Sequence, residues 1–211
     1  MSTFCLIHGK WHDGSCWEPL AELLRAGGHQ VVAPDIPQDD PAVGYEERLA
    51  GVRAPSPPDA VVVAHSLGAM YAPLVPASRR IYLCPAPAGP LAGAAPDPVQ
   101  PGFPFPPDRD DKTSVWEPAA AVAAMYPRLE PGLAEELAHG LHPAGHPVEP
   151  YPAIEPQTGA TLILALHDEF FRPEWSRAAA RAAFGTEALE LDAGHFPMLE
   201  CPEALAELLA R

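Results

Sequence analysis

Proline fixes φ and carries no amide proton, so it interrupts a helix interior or a central strand wherever it falls. Twenty-nine prolines in 211 residues therefore confine regular structure to a few stretches. Nine of them lie between Pro85 and Pro107, and no helical or strand period survives that density. On either side the uninterrupted runs alternate in character. Residues 3–7, 30–33, 60–64, 80–84, 160–166 and 188–191 are short and apolar, as parallel strands buried on both faces are. Between them, 17–25 places Trp17, Leu20, Leu23 and Leu24 at helical spacing before the stop Gly27-Gly28. Residues 45–52 predict a short helix, and further helices are expected from Ser66 to about Leu74, from Pro173 and from Pro202. Strand and helix alternating in this way predict an α/β fold: a mostly parallel sheet with right-handed crossovers and helices on both faces.

The excursion 86–157 is too long for a crossover. It holds two helical patches, 116–125 and 132–141, and is read as a lid inserted into a single domain, 1–211. Hydrophobic residues make up 47% of the chain, enough for a core. Thirteen Lys and Arg against 28 Asp and Glu leave a net charge of −15, which repels polyanions and argues against a nucleic acid or an anionic membrane as partner. No apolar run approaches the roughly 18 residues of a membrane span. The start of the sequence lacks a basic flank followed by a long apolar stretch. Cys5, Cys16, Cys84 and Cys201 are scattered, with no CxxC pair, so free thiols in a cytoplasmic protein are expected. The oligomeric state is left open by the sequence.

The segment Ala64-His65-Ser66-Leu67-Gly68 sits where a strand hands over to a helix. A tight turn there lifts a serine hydroxyl clear of the sheet and points fresh backbone N–H groups at a developing oxyanion. Such a turn needs small residues two positions before and after the serine, and Ala64 and Gly68 qualify. His139, His142 and His146 have a spacing that invites a metal, but Pro143 and Gly145 break the helix that would align them, so no metal is expected.

With these residues the chain resembles the α/β-hydrolase superfamily, in particular small lidded members similar to plant methylesterases and hydroxynitrile lyases. The resemblance rests on His8-Gly9-Lys10-Trp11, Gly28-His29, Ala33-Pro34-Asp35-Ile36-Pro37, His65-Ser66-Leu67-Gly68 and Gly194-His195-Phe196-Pro197-Met198-Leu199. Ala64 departs from the glycine usual in the family. The resemblance implies an N-terminally shortened fold with a six-stranded sheet and a triad in the order Ser66, Asp168, His195, with Glu169 and Asp192 as rivals for the acid. It implies an oxyanion hole from the backbone N–H groups of Leu67 and Lys10, Trp11 being the nearby substitute. His8 and His65 would then support the loops.

What this implies is a serine hydrolase cleaving a small, mainly apolar ester or thioester through an acyl-Ser66 intermediate, without a cofactor. A pocket built from Trp11, Trp17, Trp116, Phe196 and Met198 would bind the substrate. Hydroxynitrile-lyase-like chemistry, a biosynthetic cyclase or thioesterase, and a ligand-binding receptor on the same fold remain alternatives.

Overall fold

The computed structural model describes residues 1–147, 151, 152, 154 and 157–210. The apolar runs form strands β1 Thr3–Ile7, β2 Gln30–Val32, β3 Val61–His65 and β4 Arg79–Leu83. Four more follow: β5 Thr113–Ser114, β6 Ala144–Gly145, β7 Thr161–Ala165 and β8 Leu189–Leu191. Six of them make one sheet in the order β2-β1-β3-β4-β7-β8, and every pairing in it is parallel. All five residues of β3 are buried, which is why no polar residue interrupts Val61-Val62-Val63-Ala64.

The helices are α1 Glu18–Ala26, α2 Tyr45–Arg53, α3 Pro118–Met125, α4 Pro131–His139, α5 Pro173–Phe184, α6 Pro197–Glu200 and α7 Pro202–Leu209. From β1 the chain steps outward to β2, then returns across β1 to β3 and continues the other way. Right-handed crossovers in opposite directions put α1 on one face and α2 and α5 on the other. The turning point lies between β1 and β3, and the crevice beyond the carboxyl ends of those two strands is where an open α/β sheet binds ligands.

Three local expectations change. The stretch after β3 is not an α-helix but two 3₁₀ segments, Ser66–Met70 and Ala72–Leu74. Pro73 lacks the N–H that an α-helical bond to Ala69 would need, so the turns close instead through Tyr71 N–H to Gly68 O and Leu74 N–H to Tyr71 O. The first helix opens with a 3₁₀ turn, Gly14–Trp17, capped by the Asp13 carboxylate accepting from Ser15 N–H, before α1 begins. β5 and β6 form an antiparallel pair that two-residue strands cannot announce by alternation.

That pair ties segment 86–157 to the rest of the chain. Gly145 N–H donates to Gln38 O, Arg48 donates to Gly145 O, and the Trp11 indole N–H donates to Ser114 O at 3.1 Å. Trp116, Met125 and Tyr126 belong to the same apolar cluster as the sheet. Within 86–157, residues 148–150, 153, 155 and 156 lie outside the described residues.

Candidate active site

Strain collects at the carboxyl ends of the central strands. Trp11 (φ 68°), Ser66 (φ 48°) and Cys84 (φ 42°) follow β1, β3 and β4, and all three occupy the left-handed region that side chains avoid. Such a conformation costs of order 1–3 kcal/mol and persists where packing over-determines it. At Ser66 the packing is visible in two glycines. A Cβ on Gly68 would lie 2.7 Å from His8 O and 2.8 Å from Ile7 O, and one on Gly9 would lie 2.9 Å from the Ser66 Cβ. Only glycine lets the β1 loop close against the turn after β3, and that closure presents Ser66 to the crevice.

β7 and β8 supply the other two groups. His195 is buried, and its Nδ1–H donates to Asp168 Oδ2 at 2.9 Å and Oδ1 at 3.0 Å. Asp168 Oδ1 also accepts the N–H groups of Phe170 and Phe171, so the carboxylate is held from both sides. Glu169 acts on the backbone instead. Its carboxylate accepts the N–H of His195 at 2.8 Å, while burial pushes that carboxyl above its ordinary range. Asp192, whose side chain is 79% exposed, pairs outward with His167 and Arg128. Of the three acids, only Asp168 meets the imidazole.

Ser66 and His195 share neighbours. The His65 ring lies 4.8 Å from that of His195, and its Nε2–H donates to His195 O at 2.9 Å. Phe170 stacks on His195 at 4.2 Å and lines the same cavity as Ser66. Ser66 Oγ makes no hydrogen bond to a described residue. Nucleophile–base bonds are often long in unliganded sites and tighten on substrate.

Around this centre lie buried neutral histidines. His8 donates Nδ1–H to Gly9 O and accepts the Ile36 N–H at Nε2, and His65 is held well below its ordinary pKa by burial and by His195. His12, which no sequence motif singles out, donates to Lys10 O, accepts the Tyr126 hydroxyl at 2.7 Å, and is pushed by burial from 6.5 to about 4. A histidine whose folded pKa is depressed takes up its proton first in the unfolded chain. Stability is therefore expected to fall as pH drops through 6.5, by about 3 kcal/mol for His12 alone once pH 4 is reached. Urea midpoints at pH 7 and pH 5 should differ in that direction, and His12→Gln should shrink the difference; equal wild-type midpoints would contradict it.

Two cavities that share part of their lining lie at this end of the sheet, and Ser66 lines the first. One, of about 530 Å³, is lined by Lys10, Trp11, Ser66, Leu67, Phe105, Phe170 and Phe171 among others. The second, of about 600 Å³, reaches Met70, Gly89 and Tyr151, and shares Leu67, Ala86, Pro87 and His146 with the first. Of the five residues expected in the pocket, only Trp11 lines either. Trp17 is fully buried edge-on to His65 at 6.2 Å, and Met198 is fully buried. Trp116 packs behind Trp11 at 5.7 Å, and Phe196 packs against His12 and Tyr126. The apolar wall comes instead from Phe105, Phe170 and Phe171, the last two directly following Asp168-Glu169 in the sequence.

The histidines whose spacing suggested a metal are engaged separately: His139 with Glu135 O, His142 with Asp13 and His146 with Tyr151. Cys84 lies close enough to Asp168 and His195 for the three to share an ion. Burial and the Asp168 charge push its thiol well up, however, and a protonated thiol is a poor ligand.

No helix among the described residues is long and apolar enough to cross a membrane. A carbendazim-hydrolysing esterase of Nocardioides sp. is 32% identical over 85 residues, 33% of this chain and 34% of that protein, so the match spans about a third of that relative. A pyrethroid hydrolase of Sphingobium wenxiniae is 27% identical over 246 residues, covering 100% of this chain and 87% of that protein. Among solved structures, a methylesterase from Arabidopsis has the same fold, with a TM-score of 0.75 over 100% of this chain and 98% of that one at 18% identity. The model of the alpha/beta hydrolase family matches residues 6–208, nearly all of the sheet and both strand ends that carry Ser66 and His195, and the chain belongs to that family.

Proposed function

We propose that this protein is a serine hydrolase that cleaves small, mainly apolar esters or thioesters through an acyl-Ser66 intermediate. Ser66 Oγ attacks the carbonyl carbon as its proton passes to His195 Nε2. Asp168 holds the imidazole in the tautomer that leaves Nε2 free to accept, and stabilises the imidazolium that forms. The tetrahedral oxyanion receives the backbone N–H groups of Leu67 and Lys10; in support, Lys10 N–H donates to no described residue. Collapse expels the alkoxide or thiolate, which takes the proton from His195. Water, deprotonated by the same nitrogen, then attacks the acyl carbon, releases the acid and restores Ser66.

The observation that carries this reading is the buried contact of 2.9 Å between Asp168 and His195 Nδ1, with Phe170 stacked on that imidazole and lining the cavity that holds Ser66 at φ 48°. We further propose that 86–157 is a lid: it contributes Ala86, Pro87, Val99, Phe105 and His146 to the walls around Ser66 and would keep bulk water from the acyl-enzyme. The apolar substrate preference rests on those walls and on Phe170 and Phe171. The names of the relatives, an esterase and a pyrethroid hydrolase, agree with ester chemistry.

Stopped-flow mixing with p-nitrophenyl butyrate is the test. The expected result is a burst of p-nitrophenolate close to one equivalent of enzyme, followed by slower steady turnover. Release of benzaldehyde from mandelonitrile with no ester turnover would replace hydrolysis by lyase chemistry, and thermal stabilisation by ligands without either activity would make the protein a receptor.

A further inference from the structure

The chain has only two lysines among its 211 residues, and one of them lies inside the cavity that holds Ser66. The Lys10 ammonium is partly buried there. It donates to Ser114 Oγ at 2.9 Å and sits 4.8 Å from the centre of the Trp11 ring. Among the described residues no carboxylate lies within 4.0 Å of it, although the protein carries 28 Asp and Glu. Asp108, on the exposed rim of the same cavity, acts on it only from a distance. Burial lowers the pKa of this ammonium, and the distant Asp108 charge offsets that only in part. A cation withdrawn from water is ordinarily paired. Ser114 takes up one of its three N–H donors and the indole face gives it a second, weaker contact. The remaining donors have no partner among the described residues.

Ser114 is itself fixed. The Trp11 indole N–H donates to its carbonyl at 3.1 Å and to its hydroxyl at 3.3 Å, and β5 pairs with β6. The ammonium is thereby held to the cavity wall by the residue that directly follows Gly9, whose turn abuts Ser66, and Phe105, Phe170 and Phe171 line the same cavity.

We infer that Lys10 Nζ is an anion-recognition point of the substrate cavity, and that the protein prefers esters bearing a carboxylate on one arm, with the rest of that arm apolar. This rests on the ester-hydrolase reading above and narrows its substrate class. A cavity walled largely by Phe105, Phe170, Phe171 and prolines, with one cation that no carboxylate contacts directly, selects for an amphipathic monoanion, which enters with its charge neutralised and the cation's missing contact supplied. The surface charge of −15 discourages polyanions while leaving a single carboxylate tolerable.

The test compares matched chromogenic esters. On the acyl arm, mono-p-nitrophenyl adipate is set against the p-nitrophenyl ester of the branched acid in which an isopropyl group replaces the carboxylate. On the alcohol arm, the acetate of a nitrophenol bearing a meta carboxylate is set against that of the matching carboxamide. A charge-assisted hydrogen bond gives an expected preference in kcat/KM of about 10- to 100-fold for the charged member of one pair. Lys10→Met should bring that ratio to about one, while Lys10→Arg retains most of it. The ratio is read within each variant, so any change in overall rate or folded fraction cancels. A wild-type ratio at or below one on both arms, or a preference untouched by Lys10→Met, would overturn the inference. If wild-type enzyme hydrolyses the uncharged esters while showing no charge preference, only this inference fails; if it hydrolyses none of the four, the ester-hydrolase reading fails first.

Discussion

Ser66→Ala is expected to lower kcat for a p-nitrophenyl ester by about 10⁴- to 10⁶-fold while the protein remains folded. The size follows from the two-step route. Without Oγ no acyl-enzyme can form, and residual turnover must come from water attacking a carbonyl that is merely positioned and polarised by backbone N–H groups. The variant should not be less stable. Ser66 occupies a left-handed conformation at φ 48°, and alanine keeps the Cβ that already fits against Gly9 while removing a hydroxyl that bonds to no described residue. Equal urea midpoints with lost turnover separate a chemical role from a structural one. A variant that keeps a tenth of wild-type kcat would show that Ser66 is not the nucleophile.

The acid is open to a comparison of three carboxylates. Asp168→Asn should lower kcat by about 10³- to 10⁴-fold, since the amide can donate to Nδ1 and stabilise the tautomer that puts the proton on Nε2, where it blocks attack. Its Oδ1 can still accept the Phe170 and Phe171 N–H groups, so the loop should keep its shape. Glu169→Gln keeps an acceptor for the His195 N–H and should cost about 10-fold or less. Asp192→Asn, exposed and paired at the surface with His167 and Arg128, should be close to silent. Kinetics with all three at pH 8 decide the matter: a larger loss for Glu169→Gln than for Asp168→Asn would move the acid to the neighbouring position.

Much of the scaffold was readable because apolar runs and proline breaks report burial directly. The strands appear within one or two residues of where the sequence put them, and β3 extends to include His65 because Ala64 and His65 both remain in register with β4. Segments set by long-range contact were harder to read. β5 and β6 are two residues each, and their partner lies some 30 positions away. The 3₁₀ turns after Ser66 depend on Pro73 and on the closeness of Gly68 to the β1 carbonyls, and helical spacing alone does not register either.

The same limit applies to the site. Ser66, Asp168 and His195 each follow a strand in an expected order, so the chain order carried the information that brings Asp168 to His195. The pocket wall had no such marker. Trp17, Trp116, Phe196 and Met198 are apolar and near the motifs, but residue type says that a side chain avoids water without saying which side of the backbone it takes. Trp17 faces His65 in the core, whereas Phe170 and Phe171 face the cavity because the Asp168 turn, closed by their own N–H groups, aims them there. The Lys10 side chain illustrates the point once more: its partner Ser114 is 104 positions away, so the sequence offered only its backbone N–H.

The central claim is that Ser66 is an activated nucleophile, and intact-mass spectrometry after treatment with a fluorophosphonate measures this without knowledge of the substrate. The wild-type protein should gain the mass of a single phosphonyl adduct, with the modified peptide containing Ser66, and Ser66→Ala should gain none. A folded wild-type protein that stays unlabelled, or a Ser66→Ala protein that labels as fully as wild type, would contradict the account.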